Sequence, residues 1–323
     1  MTTTRERSLR LDPWAAEYEG SVQIGDDEEP AGVDTSVETA AWKAIRPPPG
    51  SAAALLALVD GVRRVEHRVL VDDLGRTVFG LLGSFGTGAA TIDGEARLGH
   101  ERVGRVLATG AGLRLEPFVA SVGGGALLAF EPVSEAENTP AAALQGLQGA
   151  MRRSEAALAE RLGGEVDVVF LDGPLTYVTA AARGPVVGFV KRLQRTYLDP
   201  AASALLPLLE AGERTPLFLV ADSREPRYSW YMRIGVGRAI DSPLAGIVRL
   251  EAACSTGLAA ARELADLSAR ELVRFASSAS RDPRAPQNLV PIGALEARLR
   301  HLLGDPAVVR RAIQARLHEE VTA

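Results

Sequence analysis

Cysteine is nearly absent from this 323-residue chain: Cys254 stands alone. One thiol can form no intramolecular disulfide and no thiolate metal cluster. With no histidine beside it in the small-residue stretch LEAACSTGLAAA, Cys254 reads as packing rather than as a nucleophile. The four histidines, His67, His100, His301 and His318, fall in no metal-binding spacing such as H-x-x-x-H. Also missing is the G-x-S-x-G elbow of the common serine hydrolases. The glycine-rich run GSFGTG lacks the Lys-Ser/Thr that closes a phosphate-binding loop, and no helical pattern follows it. No run of about 18 apolar residues occurs, so no membrane span is expected. The opening MTTTRERSLRLDPW has no apolar leader core, and a cytoplasmic location is expected. Excess positive charge is lacking too. The formal net charge of -5 argues against coating nucleic acid by bulk charge, although an enzyme needs only a local basic groove.

What is present is enough apolar material, 46% of the residues, for a substantial core. Residues 1–50 read as an N-terminal extension or docking arm, because GDDEEPAGVD is acidic and turn-rich and IRPPPG is stiff. Trp14, Tyr18 and Trp42 give that arm something to dock with, against a partner or a second subunit. Residues 51–323 form the body. Apolar runs broken by Gly and Pro follow one another from residue 51 to about 133, as adjacent strands do. At Thr139 the period changes. TPAAALQGLQGAMRRSEAALAERLGG spaces Leu144, Leu147, Met151, Leu158 and Leu162 for one helical face, with a Thr cap, Pro140 behind it and Gly163 as a stop. VDVVFLDGPL and GPVVGFVKR are continuously apolar, the pattern of central strands buried on both faces. Three further strand patterns precede a helical C-terminal part. The order predicts an α/β domain with one mixed central sheet flanked by helices.

Two Asp-Gly pairs end apolar runs, Asp60 in LVDG and Asp172 in VVFLDGPL, and both are expected at strand ends, where α/β sheets bind ligands. The plainer reading of either is a common turn pair. Glu155 lies on the helix preceding the Asp172 strand, and either joins the aspartates or pairs with Arg152 at helical spacing. Two aspartates and a glutamate make an oxygen-rich set suited to Mn²⁺ or Mg²⁺ rather than Zn²⁺. Lys191 ends the next strand and could meet a phosphate, or simply solvent. Arg63, Arg64 and Arg192 are candidates for a nucleic-acid groove.

Taken together, LVDG (58–61), the helix with Glu155, VVFLDGPL (168–175), GPVVGFVKR (184–192) and RDPRAPQNLVPIGALE (281–296) resemble the NurA nuclease family from about residue 55 to 305. The resemblance implies a ribonuclease H-like core and a Mn²⁺-dependent nuclease, a 5′–3′ exonuclease and single-strand endonuclease that processes DNA ends in break repair. It implies a homodimer working with a HerA-like hexameric ATPase. It assigns Asp60, Glu155 and Asp172 to the metal. The sequence also departs from the family pattern. Ala285 and Gly293 stand where a tyrosine and a metal-binding histidine are usual. Either Asn288, Gln287, Asp282 or Glu296 completes the site, or the chain is a catalytically weak scaffold for DNA and the ATPase. A small-molecule enzyme would instead show a compact apolar pocket.

Overall fold

The computed structural model describes residues 8–11, 32–179, 184–191, 197–221, 226–238, 241–278 and 286–322. Trp14, Tyr18, Asp282, Ala285 and Arg192 lie outside the described residues. The strands are β1 (Ser8–Leu11), β2 (Val33–Asp34), β3 (Leu56–Asp73), β4 (Arg76–Ile92), β5 (Ala96–Thr109), β6 (Phe118–Val122), β7 (Ala126–Ser134), β8 (Val168–Asp172), β9 (Val186–Val190), β10 (Phe218–Val220), β11 (Arg227–Arg233) and β12 (Ile247–Ala253). The helices are α1 (Pro140–Leu162), α2 (Pro200–Ser203), α3 (Leu258–Glu271), α4 (Val290–Leu302) and α5 (Pro306–Thr322). The strands make one mixed sheet in the order β2-β10-β11-β12-β9-β8-β3-β4-β5-β7-β6, with β1 added beside β3.

The centre of the sheet has a simple logic. β3, β4 and β5 form an antiparallel meander; α1 then crosses over, and β8 returns parallel to β3 with β9 parallel beyond it. This is the arrangement expected of a ribonuclease H-like core. Helix α1 begins as its sequence dictates: the Thr139 hydroxyl accepts the Ala142 N–H at 3.0 Å, and Pro140 occupies the first turn. Alternation along β3 then divides the core. Ala57 and Val59 face α1 together with Val169, Leu171, Ala156 and Leu158. Leu56 and Leu58 face the other way with Phe170, Phe189 and Ile292 of α4. Val62 continues that second face onto Leu295 and Leu299. The GSFGTG run is the middle of β4, where Gly83 leaves room for Leu147 of α1: a Cβ there would lie 2.6 Å from the leucine Cδ2. Its glycines serve helix packing.

One edge of β3 carries a gap. β8 pairs with it only over Leu56–Val59, and β1 only over Val69–Leu70–Val71–Asp72. Among the described residues, 60–68 have no strand on that side. The notch begins where β8 ends, and α1 and α4 flank it.

Residues 32–46 pack on the chain's own sheet. β2 pairs with β10, Ile45 exchanges backbone hydrogen bonds with Arg214, and Trp42 Nε1 donates to Ala202 O at 3.0 Å. No helix among the described residues is long and apolar enough to cross a membrane.

Candidate active site

Asp60 is not at a strand end. β3 runs on through Asp60-Gly61 for a further 12 residues, so the expected turn is absent. Gly61 is there for another reason: a Cβ at this position would lie 2.5 Å from Glu155 Oε1 and 3.0 Å from the Gly86 carbonyl. The glycine admits the carboxylate of α1 to the sheet. Asp172, by contrast, does close β8, and Gly173 turns the chain with φ +111°.

The ladder brings the two aspartates together. The parallel register ends at Val59↔Leu171, so the next rung would be Asp60 beside Asp172, with both side chains on the α4 face. Lys191 follows Phe189 on that same face. Its Nζ donates to Asp172 Oδ2 at 2.6 Å and to Asn288 Oδ1 at 2.9 Å. Glu155 reaches the notch from α1 on the opposite face. All four side chains line one cleft of about 540 Å³, with Gln148, Met151 and Arg152 of α1, Gln287, Asn288 and Glu296 of α4 and the segment before it.

The electrostatics are those of crowded carboxylates. Asp60 is buried, and its Oδ2 has no hydrogen-bond partner among the described residues. Burial, then the charges of Asp172, Glu155 and Glu296, hold its carboxyl well above the ordinary range against the opposing pull of Lys191. Burial pushes Glu155 up to about 8; Asp172 adds to this, while Arg152 and Lys191 oppose it. Burial alone would lower the Lys191 ammonium, but Asp172 and Asp60 outweigh that and raise it. Among the described residues no three carboxylate, imidazole or thiol groups meet in the spacing of a formed metal site. Asp172 is instead paired with a cation of the chain itself, Lys191. The donor chemistry nonetheless fits a divalent ion, since an unpartnered buried Asp60 oxygen and three further carboxylates, Glu155, Asp172 and Glu296, face one oxygen-lined cleft.

A pH dependence follows. In chelator, folded Glu155 keeps its proton up to about pH 8, whereas the unfolded chain releases it near 4.5. The folded state therefore holds the extra proton between those values, and the stability it confers is lost as pH rises through that window. Asp60 acts in the same direction. Thermal midpoints in EDTA should fall from pH 5 to 8, with a shallower slope for Glu155→Gln. Equal slopes would place the proton elsewhere.

Other expected residues are engaged differently. Arg63 Nε donates to Gln148 Oε1 at 2.6 Å, next to the cleft. Arg64 forks onto the buried Glu66 at 2.8–3.0 Å and reaches the carbonyls of Leu303 and Gly304 behind α4. Cys254 is half-buried, and burial pushes its thiol up, in keeping with packing. Sequence reasoning missed Glu251. Fully buried, it accepts the Leu175 N–H at 2.7 Å and pairs with Arg249 at 2.6 Å, so it holds the loop that follows Asp172. Only its charge within the apolar strand AGIVRLEAAC could have drawn attention to it.

Residues 137–291 match the NurA domain. Over that segment, just under half of the chain, the protein is similar to the NurA family. The matched segment contains Glu155, Asp172 and Lys191, while Asp60 and Glu296 lie on either side of it. Among solved structures, the NurA nuclease from Sulfolobus solfataricus is similar at 12% identity and a TM-score of 0.47, over 86% of this chain and 88% of that one. No curated protein matches the chain.

Proposed function

We propose that this chain is a NurA-family, metal-dependent nuclease that hydrolyses phosphodiester bonds in DNA. One observation carries the reading: Asp60, Glu155, Asp172 and Lys191, from four separate elements, line a single open cleft at the notch in the sheet. Asp60, Glu155 and Asp172 would hold Mn²⁺ or Mg²⁺, with Glu296 as a fourth carboxylate facing Asp60. When bound, such an ion polarises a phosphodiester oxygen and activates water at neutral pH. Lys191, tied to Asp172 and Asn288, is placed to neutralise a phosphate. Arg63, beside the cleft, would meet the approaching strand, and Arg192, outside the described residues, is a further candidate for DNA contact; Arg64 steadies α4. The family resemblance supports the finer terms: 5′–3′ and single-strand cutting, a homodimer, a HerA-like hexameric ATPase as partner, and work on DNA ends; the expected location is the cytoplasm.

The test is cleavage of end-labelled single-stranded DNA with Mn²⁺. Wild type should cut and Asp60→Ala should not; equal cutting by both would sink the site assignment. A scaffold role is the second reading, favoured by Ala285 and Gly293 in place of the family's tyrosine and histidine. It expects the ATPase to be retained in a pull-down while no metal-dependent cutting occurs.

A further inference from the structure

Close to the cleft lies a partly exposed aromatic ring, Tyr177. Tyr177 sits in the turn after Asp172-Gly173-Pro174, and 37% of it is exposed. That turn is fixed rather than loose: Leu175 N–H is held by buried Glu251 at 2.7 Å, and Val178 N–H closes onto Leu175 O at 3.1 Å. The ring lies along α1. Its hydroxyl is 3.4 Å from where a Gly149 Cβ would be, and the guanidinium of Arg153 stands 5.8 Å from the ring centroid. Gly149 and Arg153 alternate along the helix with Gln148 and Arg152, which line the cleft itself. The ring therefore sits next to the residues that line the cleft, Gln148 and Arg152 on α1 and Pro174 in its own turn, with its hydroxyl end against α1 and the rest partly exposed. Arg152, on the cleft side, packs against the Gly173 backbone, its Nη1 2.5 Å from a Cβ built there.

An aromatic ring with a guanidinium over one face and its other side open to a base is what a flexible single strand binds. The cation meets the phosphate, and the ring takes a base whatever its identity, since every base has a π-face. We propose that Tyr177, backed by Arg153, is a nucleobase-stacking platform that seats the nucleotide next to the scissile phosphate. The proposal rests on the nuclease reading of the same cleft, and it deepens that reading by making an unpaired, unstacked strand the bound form.

The test compares a fluorescein-labelled oligo(dT) strand with an abasic strand of equal length, by anisotropy with Ca²⁺ present and strand integrity checked on a gel. Wild type should prefer the strand with bases. Tyr177→Ala should lose roughly 5- to 150-fold in affinity for oligo(dT), the span that about 1–3 kcal/mol per stacked base gives at 1.4 kcal/mol per tenfold, and little for the abasic strand. Tyr177→Phe and Tyr177→Trp should keep the preference, which a merely structural tyrosine hydroxyl would not allow. Unchanged oligo(dT) binding by Tyr177→Ala, with Mn²⁺-dependent cutting intact in wild type, overturns the platform and leaves the nuclease reading standing. If wild type neither binds nor cuts either strand, both fall.

Discussion

Asp172→Asn should reduce Mn²⁺-dependent cleavage by roughly 10²–10³-fold, the scale on which loss of one preorganised electrostatic group acts. The substitution keeps the shape of the side chain and removes its charge. That charge has two jobs. It sits one rung from Asp60 across the β3–β8 ladder, and it accepts Lys191 Nζ at 2.6 Å. Neutralising it leaves Lys191 without its principal counter-charge and leaves the cleft one anionic oxygen donor short. Folding should hardly suffer. Asp172 is one of the charges that raise Asp60 and Glu155, so its removal relieves repulsion while it loosens the lysine. The expected signature is therefore a large loss of turnover with a thermal midpoint that stays level or rises, the trade-off typical of a charged functional site. A variant that cuts normally would remove Asp172 from the chemistry. One that simply unfolds would make it a structural anchor.

Glu38→Ala should destabilise the protein by about 3 kcal/mol, at the low end of the cost of leaving a buried charge without its partner. Arg214 is 1% exposed, and Glu38 meets its fork with both oxygens at 2.9 Å while also accepting the Leu217 N–H at 2.6 Å. Asp266 still accepts from Arg214 Nε at 2.7 Å, which is why the low end applies. Burial works against the Glu38 carboxylate, but Arg214 and the Leu217 N–H more than compensate and hold it below its ordinary value. This contribution is therefore present above the usual carboxylate range and lost as pH falls through the folded value. Urea unfolding at neutral pH checks the magnitude. A loss under about 1 kcal/mol would mean that Asp266 alone satisfies the buried guanidinium.

Glu38 also bears on how the chain divides. Composition separates residues 1–50 from the rest, because acidic and proline-rich stretches do not advertise partners. Tertiary contact ties 32–46 to the sheet through the Glu38–Arg214 pair, the Trp42 side chain and the Ile45 backbone. Asp-Gly is similarly ambiguous in sequence. At 172–173 it is the turn it resembles. At 60–61 the same pair lies inside a strand, because the glycine answers to Glu155 on a helix some ninety residues later. Arg63 and Arg64 look alike as two basic residues after Asp60, yet they point to opposite faces, one to Gln148 beside the cleft and the other to Glu66 behind α4.

The sequence by itself determined the order of elements, the start of α1 at its Thr139 cap, the burial of the VVFLD and VVGFV strands on both faces, and a family pattern that picked out Asp60, Glu155 and Asp172. These are local properties, written in periodicity, capping and the spacing of apolar residues. Tertiary structure alone decided that the three carboxylates line one cleft. It did so by ending β8 at Asp172 while β3 runs on, which opens a notch in the sheet edge. Through that notch Glu155 comes from one face and Asp60, Asp172 and Lys191 from the other, with Asn288 and Glu296 closing the far side. Strand register and the point at which a neighbour stops are long-range quantities, and no window of sequence contains them.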